Sequence, residues 1–311
     1  MSPREARIRA LAKLNVDLRV LAKRPDGYHE LRTIFQTISL SDSLDLAFTP
    51  GHRTAIDIED PLGIEDNLAV KAARLVLEST GATGRVLIRL TKRIPMGSGL
   101  GGASTDAAAV LLALPVLAGR VVPMPQLLEL AATLGSDVPF FLMGGQAVGI
   151  GRGCELFPLS DRAAQPGVLI APGIHVSTAE AYRRLSPRLT RESEQNKIVS
   201  FQSRVWGGGV SQNACNDFEA VVFEQYPGLA RLKTRLIQAG ASLALMTGSG
   251  SAVFGLFRTG AEVQNALNRL KGEPAFRILL VTRTRYRALW WRALEQHIDQ
   301  RIWPPRSRYA R

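Results

Sequence analysis

A glycine-rich segment from Pro95 to Asp106 contains the residues of this sequence that are best suited to binding a phosphate group. Four glycines fall within six residues, and a run of alanines and leucines begins directly after the segment. Upstream, residues 86–90 alternate between apolar and polar types, as in a half-buried strand. The pattern predicts a strand, a loop and a helix, with several backbone N–H groups and the positive end of the helix dipole directed at one point.

Two hydroxyl side chains, Ser104 and Thr105, lie where this helix is expected to begin. They could cap the helix or contact a phosphate and its metal ion. The segment lacks the Gly-Lys-Ser/Thr ending of a Walker loop, and its G-x-G-x-x-G spacing comes without the acidic residue of a dinucleotide-binding unit. An ordinary glycine-rich turn with a serine cap is the alternative interpretation.

A second set of polar residues is notable for its spacing. Lys13 and Asn15 alternate with apolar residues along a predicted strand over residues 7–21, so their side chains share one face of that strand. Asp137 precedes a Val-Pro pair at the expected end of a helix, where a carboxylate can face a cavity. Taken alone, the lysine is also compatible with a solvated charge, and the aspartate with a turn or helix-capping residue.

Several short motifs follow one another along the chain. They are Ala-Lys-Leu-Asn at 12–15, Asp-Gly-Tyr-His at 26–29, Glu-Asp-Asn-Leu at 65–68, the glycine-rich segment, Gly-Ser-Asp-Val-Pro-Phe-Phe at 135–141, Asn-Asp-Phe-Glu at 216–219 and Gly-Ser-Gly-Ser at 248–251. Together they resemble the GHMP small-molecule kinases over roughly residues 8–295. The resemblance implies an α/β (α+β) two-domain GHMP kinase fold, with an N-terminal ribosomal-protein-S5-domain-2-like sheet with helices and a C-terminal ferredoxin-like domain.

The same resemblance implies an ATP-dependent phosphotransferase with an alcohol group as acceptor. Asp137 would be the base that receives the proton of the substrate hydroxyl, and Lys13 would orient it and offset negative charge at the transferring phosphate. Mg²⁺ is expected with ATP, with Ser104 as a candidate ligand, and the adenine is expected near Asn67. The residues expected to bind ATP are Asn67, Pro95, Met96, Gly97, Ser98, Gly99, Leu100, Gly101, Gly102, Ala103, Ser104 and Thr105.

Tyr28 and His29 indicate the substrate, because they resemble the cytidine-binding residues of one branch of this family. That branch phosphorylates the 2-hydroxyl of a cytidine diphosphate-linked methylerythritol in the non-mevalonate isoprenoid precursor pathway. We expect Tyr28 and Tyr182 to enclose the cytosine ring. The implied substrate-binding set is Asn15, Tyr28, His29, Thr178, Tyr182, Gly248, Ser249 and Gly250. Core packing of the rings, a plain hairpin turn at residues 248–251 and a kinase of the homoserine or mevalonate type are the alternatives.

The chain of 311 residues has a net charge of +12, which is unevenly distributed. The segment from Arg283 to Arg311 contributes half of it and contains Trp290, Trp291 and Trp303. Basic residues interleaved with aromatics can bind RNA or an acidic membrane surface, so a nucleic-acid-binding protein is the less favoured alternative function. An amphipathic terminal helix followed by a solvated, partly disordered end explains the same composition, and we prefer that interpretation.

Length and the alternation of strands with helices predict two domains. We place an N-terminal ATP-binding domain at residues 1–160, a C-terminal domain at 161–295 and a basic tail at 296–311, with a mobile connection at 196–211. Cys154 and Cys215 form no metal or redox spacing, and no apolar segment is long enough to cross a bilayer. We therefore expect a cytoplasmic protein without a membrane partner, and either a monomer or a homodimer.

Overall fold

The computed structural model describes residues 2–161, 163–189, 191–206 and 214–310 of the chain. Over these residues the chain forms two β-sheets with helices packed on them. The elements of the first half are β1 (Arg4–Lys23), β2 (His29–Pro50), β3 (Ala55–Glu59), α1 (Leu68–Thr80), β4 (Gly84–Thr91), α2 (Gly102–Ala118), α3 (Met124–Leu134), α4 (Val138–Met143), β5 (Gln146–Gly151) and β6 (Glu155–Pro158). Those of the second half are β7 (Pro166–Ile170), α5 (Thr178–Leu185), α6 (Arg191–Trp206), α7 (Glu219–Gln225), α8 (Pro227–Gln238), β8 (Leu243–Met246), β9 (Val253–Leu256), α9 (Gly260–Arg269), β10 (Ala275–Leu279) and α10 (Arg283–Ala293).

The first sheet is built on two long strands, β1 and β2, which pair antiparallel along most of their length. The C-terminal half of β2 also pairs with β4 and its N-terminal half with β5, so β2 connects both sides of the sheet. The register of β1 on β2 shifts between Leu11 and Lys13 and again between Asn15 and Asp17. Register shifts of this kind re-aim side chains, and these two lie on either side of the Lys13–Asn15 pair.

Helix α2 is apolar on every side, and its residues from Thr105 to Leu117 are buried. It packs against β1, β2, α1, α3 and α4. Because a helix that is buried all round has one closely packed position in the core, its N-terminus is fixed in space. The glycine-rich segment directly before Gly102 is therefore attached to a rigid support.

The second sheet has the strand order β10-β7-β9-β8, and all of its neighbouring strands are antiparallel. Helices connect β7 to β8 and β9 to β10, which gives the βαββαβ arrangement of a ferredoxin-like domain. The expected α/β (α+β) fold class, with a ferredoxin-like unit in the second half, is confirmed.

Strand β1 lies where the two sheets meet. Ala12, Leu14 and Val16 belong to a core that includes residues of β7, β8, β9 and β10. The side chains of Lys13 and Asn15 alternate with these apolar residues and are themselves buried. The strand thus delivers two polar side chains to the boundary between the two halves of the molecule.

The end of the chain contradicts the expectation of a solvated tail. Trp290 is buried in the first core, which is the apolar cluster between the first sheet and helices α1 and α2, and Trp303 packs edge-on against it. Nε1 of Trp303 donates a hydrogen bond to the carbonyl oxygen of Leu142 at 3.0 Å, and the ring of Tyr309 stacks under the guanidinium of Arg4. The aromatic residues of this segment bury apolar surface against the first half of the chain, which outweighs the tendency of the arginines to stay in water.

Two other expectations concern the second half of the chain. Residues 196–206, expected in a mobile connection, belong to helix α6, and residues 207–213 lie outside the described residues. The domain boundaries at residues 160 and 295 remain a prediction, although α10 packs on the first core rather than on the second sheet. Within the described ranges, no helix has both the length and the apolar character needed to cross a bilayer.

Candidate active site

The glycine-rich segment forms a tight loop between β4 and α2. Gly97, Gly99 and Gly101 have positive φ angles, and Gly101 is the N-cap residue of α2. Because a glycine offers no side chain to cap the helix, the first N–H groups of α2 are left for another acceptor. The loop, together with Asn67 and Lys92, lines a cavity of about 430 Å³. These donors and the helix dipole make the cavity suited to a phosphate group.

Close packing requires glycine at two positions of this loop. A Cβ atom on Gly99 would overlap the carbonyl oxygen of Thr247, and one on Gly101 would lie 2.8 Å from the ring of Phe141. Thr247 follows strand β8 of the second sheet, and Phe141 belongs to α4. The loop is therefore held between the two halves of the molecule.

Lys13 and Asp137 form an ion pair beside the loop. Nζ of Lys13 lies 3.3 Å from Oδ2 of Asp137, and the backbone N–H of Lys13 donates to the carbonyl oxygen of Leu100 at 3.1 Å. Asp137 immediately precedes α4, but its side chain makes no capping hydrogen bond, so the helix-cap alternative does not explain it. The carboxylate is 33% exposed and the lysine side chain 4% exposed, so the acceptor remains accessible while the ammonium is buried behind it.

A chain of hydrogen bonds fixes the position of Lys13. Its ammonium donates to Oδ1 of Asn15 at 2.6 Å, and Nδ2 of Asn15 donates to Oγ1 of Thr33 at 2.8 Å. The backbone N–H of Asn15 donates to Oγ1 of Thr247 at 2.9 Å. Sequence reasoning missed Thr33 and Thr247. The sequence offered no distinguishing signal for Thr33, because β2 contains many polar residues, whereas adjacency to the second glycine motif was the signal for Thr247.

The second glycine loop (residues 247–251) joins β8 to β9 and lies against the first loop. Nδ2 of Asn216 donates to the carbonyl oxygens of Met246 at 2.8 Å and Gly248 at 2.7 Å. Oγ of Ser249 lies 2.7 Å from Oγ1 of Thr178. The structure thus brings together the predicted residues of this loop and Thr178, and it adds Asn216 as the residue that holds the loop.

The predicted base-binding residues gather at the start of β2. The guanidinium of Arg152 lies 3.6 Å from the centre of the Tyr28 ring, yet Tyr28 remains 51% exposed. His29 stacks on Tyr182 with ring centroids 4.5 Å apart, and its Nε2 lies 2.7 Å from Oγ of Ser186. The ring stacked on Tyr182 is therefore His29, and Phe218 packs edge-on against the same tyrosine. The enclosure of a base by Tyr28 and Tyr182 stays a prediction, and it would require His29 to leave Tyr182.

The electrostatic surroundings of this stacked pair favour uncharged rings. Burial lowers the pKa of His29, and the positive charge of Lys23 lowers it further. Burial also raises the pKa of Tyr182, and the negative charge of Asp137 raises it further. A neutral imidazole and a neutral phenol offer aromatic faces and hydrogen-bonding atoms to a neutral heterocycle.

A buried charge cluster lies at the edge of the phosphate cavity. The ammonium of Lys92 pairs with Asp42 and with Oδ2 of Asp106, the latter at 2.7 Å. Burial raises the pKa of Asp106 to about 7, with the nearby charge of Asp42 adding to the effect and the attraction of Lys92 opposing it. Oδ1 of Asp106 has no hydrogen-bond partner among the described residues. Two buried carboxylates share one ammonium, which is why one of them retains its proton more readily.

The remaining residues of the predicted ATP set differ in where their side chains lie. Asn67 caps α1 by accepting the N–H of Ala69 at 2.9 Å, and it also lines the cavity. Ser104 lines the cavity from the first turn of α2. Thr105 is buried, and its hydroxyl donates to the carbonyl oxygen of Leu11 at 2.9 Å. The structure therefore directs the Thr105 side chain to β1 and away from the loop.

Comparisons with known proteins agree with this geometry. The models of the GHMP kinases N terminal domain and the GHMP kinases C terminal region match residues 67–145 and 204–274. A 4-diphosphocytidyl-2-C-methyl-D-erythritol kinase from Solibacter usitatus is 62% identical over 310 residues, which cover 98% of each chain. The protein of the same name from Geobacter metallireducens is 39% identical over 276 residues, which cover 88% of this chain and 97% of that one.

Solved structures give the same result. A crystal structure of 4-(cytidine 5'-diphospho)-2C-methyl-D-erythritol kinase matches with a TM-score of 0.75 and 37% identity over 88% of this chain and 99% of that chain. A homoserine kinase from Cytophaga hutchinsonii shares the fold, with a TM-score of 0.69 and 21% identity over 89% of this chain and 95% of that chain. The chain belongs to the 4-diphosphocytidyl-2-C-methyl-D-erythritol kinase family, within the GHMP kinases.

Proposed function

We propose that this protein transfers the γ-phosphoryl group of ATP to the 2-hydroxyl of 4-diphosphocytidyl-2-C-methyl-D-erythritol, a step of the non-mevalonate isoprenoid precursor pathway. The observation that carries the proposal is the Lys13–Asp137 pair, with its 3.3 Å separation, directly beside the glycine loop. The names of the relatives supply the acceptor. A loop for phosphates and a carboxylate for a hydroxyl are the two parts that phosphoryl transfer to an alcohol needs.

ATP binding is assigned to residues 95–104 and the N-terminus of α2. Backbone N–H groups of the loop and the positive end of the helix dipole would hold the phosphates. The adenine would lie at the Asn67 end of the same cavity. Thr105 anchors the start of the helix, since its hydroxyl donates to the carbonyl oxygen of Leu11 and its N–H to that of Gly101.

We assign Asp137 the role of the base that receives the proton of the acceptor hydroxyl. Its exposed side faces the incoming group, and the buried ammonium of Lys13 behind it keeps the carboxylate in position. The same ammonium offsets negative charge that builds up as the phosphoryl group is transferred. Asn15 holds the ammonium through its Oδ1 at 2.6 Å, so that Lys13 cannot swing toward solvent.

The cytidine end of the acceptor is assigned to the aromatic residues at the start of β2. The exposed part of Tyr28 would stack on the cytosine, and His29 would donate or accept a hydrogen bond at its edge. Tyr182 would complete the enclosure once His29 has turned away from it. Thr178 and the second glycine loop would line the part of the site nearest the transferred phosphoryl group.

A magnesium ion is expected with ATP. In the described part of the chain, no three His, Cys, Asp or Glu residues are grouped so that they could hold a metal ion. Ser104, half-buried in the cavity at the first turn of α2, fits the ion, because Mg²⁺ is bound chiefly by substrate phosphates and waters with few protein ligands. When bound, the ion would neutralise negative charge on the phosphates.

The alternative functions have less support. Homoserine and mevalonate kinases share the fold at low identity, and the aromatic residues at 28 and 29 favour a substrate that carries a base. A nucleic-acid-binding role would need exposed aromatic faces within residues 283–311. Trp290 is instead buried, and Trp303 packs among three other rings. We place the enzyme in the cytoplasm, which is consistent with two unpaired thiols.

A substrate panel tests the proposal. Purified protein is incubated with ATP and Mg²⁺ and either 4-diphosphocytidyl-2-C-methyl-D-erythritol, homoserine or mevalonate, and ADP release is followed. We expect turnover on the first compound alone, with phosphorus NMR placing the new phosphate on the 2-position. Turnover on homoserine or mevalonate instead would overturn the substrate assignment.

A further inference from the structure

Helix α4 ends against the C-terminal part of the chain. The carbonyl oxygen of Leu142 accepts the Nε1–H of Trp303 at 3.0 Å, and that of Phe141 accepts the hydroxyl of Tyr286. The last carbonyls of any helix lack partners inside the helix, and burying them without other donors is unfavourable. Here two aromatic side chains from distant sequence positions supply those donors.

The same short helix supports both parts of the active site. Asp137 directly precedes it, and its carboxylate pairs with Lys13. The Phe141 ring lies where a Cβ atom on Gly101 would come within 2.8 Å, so this ring supports the phosphate loop. Any shift of α4 therefore moves both the proposed base, Asp137, and the Phe141 ring that supports the phosphate loop.

Two glycines after α4 allow helix α10 to pack closely against the end of α4. A Cβ atom on Gly144 would overlap the ring of Tyr286, and one on Gly145 would lie 2.6 Å from the Cβ of Arg283. Both glycines have positive φ angles, so the chain turns sharply at this point. The backbone geometry is thus adapted to contact with α10.

From these contacts we propose that Trp303 is a positioning residue for Asp137, acting through helix α4. The helix has only six residues, and a helix of that length has no stability of its own. Its orientation is consequently set by its surroundings, which are the packing of its buried residues on α2 and α3 and the contacts at its two ends. The N-terminal end carries Asp137, and the C-terminal end is held by Trp303 and Tyr286. This inference rests on the proposed function, in which Asp137 receives the proton of the acceptor.

The positioning role of Trp303 also assigns a function to the C-terminal segment (residues 296–310). Its tryptophan packs edge-on against the rings of Tyr286, Trp290 and Trp291, with centroid distances of 6.2, 6.3 and 6.4 Å. The cluster fixes the indole so that its N–H points at the end of α4. The aromatic residues near the end of the chain thus hold the active site in position and are not available to bind RNA.

The test compares two chemically identical substitutions. Trp303→Phe keeps an aromatic ring but removes the N–H donor to Leu142. Trp206→Phe makes the same change at a tryptophan that is 90% exposed at the end of helix α6, outside this aromatic cluster. We expect Trp303→Phe to lower kcat about tenfold, since small misplacements of a catalytic group have effects of at least this size. KM for ATP should change less than about twofold, and Trp206→Phe should keep the wild-type kcat. Equal kcat values for the two variants would overturn the proposal.

A second variant covers the case in which Trp303→Phe does not fold. Tyr286→Phe removes only the hydroxyl donor to Phe141, at the same end of α4, and we expect it also to lower kcat. Each substitution is then combined with Asp137→Asn, whose residual turnover is measured over hours. If Trp303 and Tyr286 act through Asp137, they cause no further loss in that background. A loss as large as in the wild-type background would contradict the proposal.

Hydrogen exchange separates this inference from the proposed function. Trp303→Phe should increase amide exchange in residues 138–145, and Trp206→Phe should not. Unchanged exchange in both variants would overturn the positioning role even in an active kinase. A wild-type protein without kinase activity would overturn the proposed function, while the exchange data would still report on the contact between Trp303 and α4.

Discussion

The carboxylate of Asp137 lies 3.3 Å from the ammonium of Lys13, and the two groups differ sharply in exposure. The lysine is buried between Asn15 and the ring of Phe35, whose centre is 5.5 Å from Nζ, while one third of the aspartate side chain is exposed. An immobile cation behind an accessible anion is an arrangement that stabilises charge without reorganisation during the reaction. Such an arrangement suits phosphoryl transfer, which depends chiefly on positioning and charge stabilisation.

The contact between the two glycine loops predicts a specific defect in ATP binding. Gly99→Ala places a Cβ atom on the carbonyl oxygen of Thr247. We expect KM for ATP to rise at least about tenfold, because the loop must move away from its phosphate-binding position. Gly173→Ala is the matched control, since Gly173 has a similar positive φ of 73° against 77° but no atom within 4 Å of the added Cβ. Equal KM values for ATP in the two variants would show that the contact between Gly99 and Thr247 does not hold the loop in its phosphate-binding position.

The exposed ring of Tyr28 predicts a defect confined to the nucleotide end of the acceptor. Stacking of a base on an aromatic ring contributes about 1–3 kcal/mol, so Tyr28→Ala should raise KM for the cytidyl substrate about 5- to 150-fold. KM for ATP should stay the same, and Tyr28→Phe, which keeps the ring, should behave like the wild type. Tyr182→Ala should share the defect if both rings enclose the base. An unchanged acceptor KM in Tyr28→Ala would remove Tyr28 from the site.

The buried Asp106 predicts a pH dependence of stability. Its pKa is raised by burial from 3.8 in the unfolded reference to about 7 in the folded protein. Between these values the folded chain holds a proton that the unfolded chain has released, so this group makes the free energy of unfolding fall as pH rises from about 4 to 7. Each unit of pKa difference corresponds to about 1.36 kcal/mol, which bounds the total at roughly 4 kcal/mol.

Urea unfolding at a series of pH values measures this effect. The stability of the wild type relative to Asp106→Asn should decline from pH 4 to 7 and level off above pH 7. Asp45→Asn serves as control, because Arg7 lowers the pKa of Asp45 and its contribution is lost only as pH falls below about 4. A constant difference between the wild type and Asp106→Asn over this range would show that Asp106 is ionised throughout.

Local pattern was sufficient for part of the site. Alternation placed Lys13 and Asn15 on one strand face, and the structure confirms that they are hydrogen-bonded neighbours despite the register shifts around them. The strand, loop and helix around Gly97 are confirmed because glycine and apolar residues act over a few positions. Pairing Lys13 with Asp137 required the resemblance, since spacing carries no information on which distant elements meet.

Other features depend on packing between distant segments and were not predictable. The stack of His29 on Tyr182 joins the start of β2 to α5. The C-terminal segment was expected in solvent because its charge is evident in the sequence, whereas the fit of Trp303 against α4 is a property of the folded surface. Thr105 was assigned to the loop, but the turn of α2 points its hydroxyl to β1.

The most direct test of the account is kcat of Asp137→Asn beside the wild type, with ATP, Mg²⁺ and 4-diphosphocytidyl-2-C-methyl-D-erythritol. Loss of a general base lowers the rate by about 10²–10⁴-fold, and we predict a fall in that range with KM for ATP unchanged. Asp57→Asn, at a carboxylate of β3 that is 45% exposed and lies outside the phosphate cavity, should keep the wild-type kcat. A kcat for Asp137→Asn within about twofold of the wild type would contradict the assignment of Asp137 as the base.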